Sequence, residues 1–180
     1  MVKKLSELVL DYGSKYRVSK MVRDNKLYKV DAGVYADRPD VPEVEILQAK
    51  YPNAVLTLNS AYYYYGLSDE IPEAYYLATE RNARQITDPR AVHLRVPCGT
   101  GQIGLIETSM LGDHIRIYDR ERLLIETMRY RTKLPYDLYR EVIDGFRNVR
   151  NELYGAKIDD YLKGFPRRTA LMSHIRKEIW

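Results

Sequence analysis

The stretch Val55–Thr79, VLTLNSAYYYYGLSDEIPEAYYLAT, constrains the fold more than any other part of this chain. Val55–Leu58 is a short apolar run with a β-branched member, the pattern of a buried strand. Asn59 or Ser60 can cap a following helix through a side-chain oxygen. Ala61–Tyr65 supplies a turn or two of helix, and Gly66 can stop it by taking the left-handed conformation. Ser68–Pro72 makes a polar corner, and Ala74–Thr79 returns as a second apolar strand. Four consecutive tyrosines on one helix point in all directions, so at least one is expected to be half exposed or packed on another element. The others are read as locking a short helix between core strands, not as a binding box.

The rest of the chain is consistent with an α+β protein in two parts. Lys3–Tyr12 places Leu5, Leu8, Val9 and Tyr12 on one helical face. Gly13 ends that helix and Ser14 can cap a second, whose inner face carries Val18, Met21 and Val22. On its opposite face lie Tyr16, Lys20 and Arg23, flanked by Arg17 and Ser19. Leu27–Val30, a turn at Asp31-Ala32-Gly33, and Val34–Ala36 form a hairpin signal. Helix, turn, helix and hairpin is the order of a winged helix, in which the second helix enters the major groove. A full winged helix has three helices before its wing, and only two are read here.

Charge sharpens this reading. Residues 1–36 hold eight Lys or Arg against four Asp or Glu, a balance of +4, while the remainder holds 21 of each sign. The whole net charge of +4 therefore sits in the first fifth of the chain. A basic module on a neutral body suits a polyanion. The plain alternative is a solvated, mildly basic face. If DNA is the partner, Lys20 and Arg23 are the expected base or phosphate contacts, with Tyr16 beside them. Lys15, Arg17, Lys26 and Lys29 would mainly neutralise phosphates.

Residues 1–36 are thus read as a winged-helix-like basic module and 37–43, with DRPDVP at its start, as a linker. Residues 44–180 follow as a mixed α/β domain with a helical C-terminal end. Within it, Glu43–Tyr51 reads as a helix, Glu80–Arg90 as a helical turn and loop, and Ala91–Val96 as a strand. Gln102–Met110 and His114–Tyr118 read as paired strands. Asp119 caps a helix over Arg120–Arg131, with Leu123, Leu124 and Met128 inward. Tyr136–Val149 is a further helix with Leu138, Val142, Ile143 and Phe146 inward, and Ile158–Phe165 and Thr169–Trp180 are two more.

Three motifs resemble a known family. LTLNSAYYYYGLSDEIPEAYYLAT is similar to the core segment of the AbiEi-type antitoxins of bacterial type IV toxin–antitoxin and abortive-infection systems. Ile115–Glu126, IRIYDRERLLIE, resembles that family's strand followed by a helix with the pattern ERxLIE. Lys26–Tyr35, KLYKVDAGVY, resembles the wing of its N-terminal winged helix. Together the three span most of residues 15 to 130. The resemblance implies an antitoxin that counteracts a nucleotidyltransferase-like toxin and binds operator DNA to regulate its own operon, with no catalytic step.

Chemistry elsewhere is sparse. Gly99-Thr100-Gly101-Gln102-Ile103-Gly104 matches G-x-G-x-x-G, but a dinucleotide site needs that motif to open a helix. Leu105–Met110 reads as a strand instead, so a glycine-rich turn is expected and no cofactor. His93, His114 and His174 lie on separate elements without ligand spacing, so no metal is expected. The single cysteine, Cys98, excludes an internal disulfide and has no base nominated beside it. Gly13-Ser14 is similar to the start of a nucleotidyltransferase motif, but no Asp-x-Asp follows to hold metal ions. Arg122 and Glu126, four apart, read as a surface ion pair, or else Arg120 or Arg122 reads as part of a partner-facing or nucleic-acid-facing surface. No apolar run reaches the roughly 20 residues of a membrane span, and Val2–Leu10 is too broken for a signal peptide, so a cytoplasmic location is expected. Beside the antitoxin reading stands an interaction module that neutralises or recruits a partner without touching DNA, with its many tyrosines as contacts. An enzyme built on the glycine loop ranks last.

Overall fold

The computed structural model describes residues Met1–Trp180, which divide into two compact units, 1–53 with 112–115, and 54–111 with 116–180. The fold is α+β, as the periodicities indicate.

In the first unit the order is β1 (Val2–Lys4), α1 (Leu5–Tyr12), α2 (Lys15–Arg23), β2 (Tyr28–Asp31), β3 (Val34–Ala36) and α3 (Glu43–Lys50). Residues 2–4, expected to begin the first helix, are instead a strand that pairs antiparallel with β3, Val2 opposite Ala36. Three residues carry no readable period, and the hydrogen bonds that decide their state come from a strand 30 residues away. The sheet runs β1-β3-β2. Gly13 takes φ of 84° to end α1, and Ser14 Oγ accepts from the Arg17 N–H to start α2. Leu8, Val18 and Leu27 form the centre of the core, with Leu5, Val9, Tyr12, Met21, Val22 and Tyr35 around them.

Helix–turn–helix followed by a hairpin is therefore present, and the third helix comes after the hairpin, not before it. α3 buries Val44, Ile46, Leu47 and Gln48 and packs on β1 and β3. The domain boundary expected at 37–43 is corrected accordingly. That stretch is an internal connection, tied down by the Met1 ammonium on Asp37 (2.8 Å) and Arg38 on Glu45 (3.2 Å), and the unit closes at Asn53. Proline and charge mark a loop, but they do not say whether the next helix folds back onto what precedes it.

The second unit contains β4 (Val55–Leu56), α4 (Leu58–Tyr64), β5 (Tyr75–Glu80), β6 (Ala91–Val96), β7 (Leu105–Met110) and, from residue 116 onward, β8 (Asp113–Tyr118). Helices α5 (Arg120–Tyr130), α6 (Tyr136–Asn148), α7 (Gly155–Leu162) and α8 (Arg168–Ile179) follow. Its five strands run β6-β5-β4-β8-β7, with β4 antiparallel to β5 and parallel to β8, and β5 parallel to β6. The two-residue strand that opens the family-like stretch is thus the middle of the sheet, and both its side chains are buried. No helical turn forms over Glu80–Arg90. Arg95 Nη1 instead donates to the carbonyls of Glu80 (3.1 Å) and Ala83 (2.6 Å), satisfying in loop form the backbone groups that a helix would have paired.

The tyrosine run divides its work. Tyr62 is fully buried, and its hydroxyl donates to Thr127 Oγ1 (3.0 Å), which itself donates to the Leu123 carbonyl. Burial raises the Tyr62 phenol well above its ordinary range. Tyr65 donates to the Tyr118 carbonyl (3.0 Å), and Tyr63 and Tyr64 meet edge to face, half-buried. Gly66 and Leu67 close the helix with bonds to the Tyr63 and Tyr62 carbonyls, a Schellman motif. The expected cap is corrected: the helix starts after Thr57, and Ser60 Oγ accepts from the Tyr76 N–H (2.9 Å), fastening α4 to β5.

Asp119 does cap α5, its Oδ1 accepting from the Arg122 N–H (2.9 Å). The surface ion pair expected between Arg122 and Glu126 is not on the surface. Arg122 is fully buried, with Nε 3.0 Å and Nη2 2.8 Å from Glu126 Oε1, and Nη1 donates to the carbonyls of Thr100 (2.7 Å) and Ile103 (3.0 Å). Its guanidinium lies 4.3 Å from the Tyr118 ring centre and 4.5 Å from that of Phe165. Arg129 pairs with the other oxygen of Glu126. A Cβ on Gly104, where φ is 73°, would stand 2.4 Å from the Arg122 Cβ. Gly104→Ala is therefore expected to cost about 3 kcal/mol or more, from left-handed strain plus overpacking. Urea unfolding of this variant beside Gly112→Ala, where φ is 90° but the space is open, separates the packing part from the backbone part.

Candidate nucleic-acid interface

α2 turns its apolar side, centred on Val18, into the core, which leaves the opposite side to solvent. Lys15, Tyr16, Arg17, Lys20 and Arg23 on the helix, Lys26 in the turn after it, and Lys29 on β2 are all exposed. The structure thus brings the seven residues singled out from sequence onto one helix–turn–strand segment. Between Lys15 and Lys29 there are six basic residues and one acidic, Asp24.

Their surroundings separate them. Arg17 folds back so that Nη1 donates to the Tyr12 carbonyl (3.3 Å), and it helps close α1. Arg23 lies 5.9 Å from the ring centre of Tyr16, itself 69% exposed, so a cation and an aromatic face sit side by side on the outer surface. The ion pairs Lys3–Asp11, Arg38–Glu45 and Lys50–Asp31 take up carboxylates elsewhere in the unit and engage none of Lys15, Lys20, Arg23, Lys26 or Lys29. Unneutralised cations on a helix face are a feature that can release phosphate counterions.

The glycine loop is a different kind of object. Residues 99–104 form turns that lead into β7, not into a helix. The N–H groups of Gly99 and Gly101 both donate to Glu80 Oε1 at 3.0 Å, so the chain's own carboxylate occupies the place a phosphate would take. A Cβ on Gly101 would come within 2.8 Å of the Glu80 side chain, and Tyr118 donates to the Gly101 carbonyl (3.1 Å). Gly101 and Gly104 are there for close packing, and Gly99, with open space around it, for its φ of 79°.

The sequence missed one cluster of ionisable groups. Lys157 lies 3.0 Å from Asp119 and 3.1 Å from Glu121, and the Tyr161 hydroxyl donates to Asp119 (2.8 Å). Partial burial and the bond to Asp119 push the Tyr161 phenol up to about 12. Asp119 was legible as a cap, but its partners on α7 lie some 40 residues away and leave no local signal. The charges of this cluster answer one another and hold α7 to the start of α5. Cys98 is exposed, and no group of three or more His, Cys, Asp or Glu is arranged to hold a metal.

Comparison with known proteins adds a fold. No family model matches the chain, and no curated protein matches it. A solved structure, the Rv2827c protein from Mycobacterium tuberculosis, aligns over 99% of this chain and 72% of that one, with a TM-score of 0.65 at 12% identity. Agreement at that identity concerns architecture: the chain shares an α+β arrangement with that protein along nearly its whole length. No helix is long and apolar enough to cross a membrane.

His93 has both ring nitrogens engaged within the fold. Nδ1 accepts from the Ile86 N–H (3.1 Å), so Nε2 carries the proton and donates to Thr79 Oγ1 (2.7 Å). Burial, and then the nearby Arg95, lower its pKa below the ordinary histidine value. A depressed histidine favours the fold fully above the unfolded value of about 6.5, and that contribution is lost as pH falls from there through the lowered folded value. His93→Ala should therefore cost about 1–2 kcal/mol at neutral pH through its lost hydrogen bonds. In urea titrations the gap between the parent and this variant should narrow on going from neutral pH to about pH 5.

Proposed function

We propose that this chain is an AbiEi-like antitoxin whose winged-helix-like unit binds operator DNA. The observation that carries the DNA part is the exposed outer face of α2 and the turn beyond it, where Lys15, Lys20, Arg23, Lys26 and Lys29 stand without internal counter-charges. In this reading α2 enters the major groove, Lys20 and Arg23 meet base edges or adjacent phosphates, and Lys15, Lys26 and Lys29 hold the backbone. Arg17 contributes charge while it supports the turn. The antitoxin part rests on the resemblance of Leu56–Thr79 and Ile115–Glu126 to the family's core. The second unit then counteracts a nucleotidyltransferase-like toxin in the cytoplasm, the first represses the shared operon, and neither carries out a reaction.

A second reading has one observation in its favour. Leu10 is 85% exposed on α1 and Tyr16 is 69% exposed on α2, so the same unit could present apolar contacts to a protein partner without touching DNA.

A gel-shift titration with the DNA upstream of the gene, run at several salt concentrations, decides between them. DNA binding predicts a steep fall of affinity with salt, by roughly 0.9 in the log–log slope per phosphate neutralised. Lys20→Ala with Arg23→Ala should flatten that slope by about 1–2 and weaken binding at least tenfold. Unchanged mobility at micromolar protein and low salt would remove the DNA reading and leave the partner-binding one.

A further inference from the structure

A groove of about 600 Å³ lies between α7 and α8, outside every site described above. It is lined by Gly155, Ala156, Ile158 and Asp159 on the α7 side and by Met172, Arg176 and Trp180 on the α8 side. Met172, Arg176 and Trp180 stand at i, i+4 and i+8 on α8, so one line of that helix faces the opening. Trp180 is 59% exposed, and Tyr154 at the start of α7 is 70% exposed. A Cβ on Gly155 would meet nothing within 4 Å, which leaves room for another backbone to approach α7 closely.

Charge selects the occupant. From Asp159 to Glu178 the chain has five Lys or Arg and three Asp or Glu, but Asp160 pairs with Lys163 and Glu178 with Arg147. The one carboxylate lining the groove, Asp159, is held by Arg168 at 2.8 Å. Arg176 on the lining and Lys177 next to it in the chain are exposed and enter none of these ion pairs. A second copy of this chain would bring the same cations against these, and like charges oppose that pairing. Only two charged side chains, Asp159 and Arg176, line the groove, and the rest of the lining is apolar or glycine, which suits an apolar contact with a polar edge more than a small polar ligand. We propose that this groove docks an acidic amphipathic helix of a partner protein, its apolar stripe on Met172, Ile158 and Trp180 and its carboxylates on Arg176 and the neighbouring cations. The proposal is independent of the DNA reading, since it concerns the second unit alone.

Trp180 is the single tryptophan of the chain, so its emission reports on this groove. The probe is a synthetic four-turn helical peptide with leucine at i, i+3, i+4 and i+7, glutamate at most other positions, and no tryptophan or tyrosine. The control peptide replaces glutamate by lysine. The full chain should show a blue-shifted Trp180 emission that saturates with the glutamate peptide, and at least ~10-fold weaker binding of the lysine peptide. Arg176→Glu should weaken the glutamate peptide by about fivefold or more, and Met172→Glu likewise. Arg176 is exposed, so its variant keeps the test valid even if Met172→Glu disturbs folding, and circular dichroism checks both. Unchanged emission with the glutamate peptide, or equal binding of the two peptides, overturns the proposal. So does a dimer in sedimentation that Met172→Glu dissolves, or DNA binding that Arg176→Glu abolishes, since either assigns the groove another occupant.

Discussion

The second unit depends on a guanidinium that has no water. Arg122 sits inside the protein with its charge intact, and removing such a cation from solvent costs several kcal/mol unless every direction around it is answered. Glu126 answers one turn along the same helix, the Thr100 and Ile103 carbonyls answer across the glycine loop, and the rings of Tyr118 and Phe165 cover the faces. These partners belong to α5, to the loop before β7, to β8 and to the turn after α7. Satisfying one side chain therefore fixes the relative position of four segments. Such a cluster is weak evidence for net stability, because an apolar replacement of the same shape could do as well. What it specifies is arrangement, because the partners of this one side chain come from segments far apart in the chain, although its buried Nη2 has only the ion pair to Glu126 and no hydrogen bond.

The same requirement explains the glycines that imitate a nucleotide loop. Gly104 must let the backbone pass against the Arg122 side chain, and Gly101 must let it pass against Glu80, whose carboxylate gathers two N–H groups of the turn. A phosphate loop and this loop share a geometry because both wrap backbone N–H groups around an anion. They differ in who supplies the anion. Here the protein supplies its own, so the motif closes the structure inward. The outer face of α2 has the opposite character, since its cations are exposed and the ion pairs of its unit do not engage them.

What could be read from sequence follows from where the deciding partner lies. The turn at Gly13-Ser14, the Asp119 cap and the inward stripe Leu138, Val142, Ile143 and Phe146 are settled within one or two helical turns, and they stand as expected. The exposed basic face of α2 was legible for the same reason, because periodicity alone assigns Val18, Met21 and Val22 to the inside. Arg122 was not. A spacing of four says that Arg122 and Glu126 are neighbours on a helix, but not that the helix is enclosed on every side. α5 buries every residue from Glu121 to Met128, and a helix buried all round has no polar face to betray its orientation. The strand at Val2–Lys4, the Ser60 bond to β5 and the loop held by Arg95 were hidden likewise, each depending on a partner at least 12 residues away.

The displaced third helix bears directly on how the first unit presents α2. A winged helix needs a helix–turn–helix pair held rigidly on a small sheet, and rigidity requires that the sheet be covered as well as paired. Without cover, a three-stranded sheet of three- and four-residue strands would be marginal. α3 supplies it from the other end of the hairpin by burying Val44, Ile46 and Leu47 against β1 and β3. Chain order matters little to a core, because burial depends on which surfaces meet and not on which was synthesised first. The basic face of α2 is consequently mounted on a closed core despite the short count of helices before the wing.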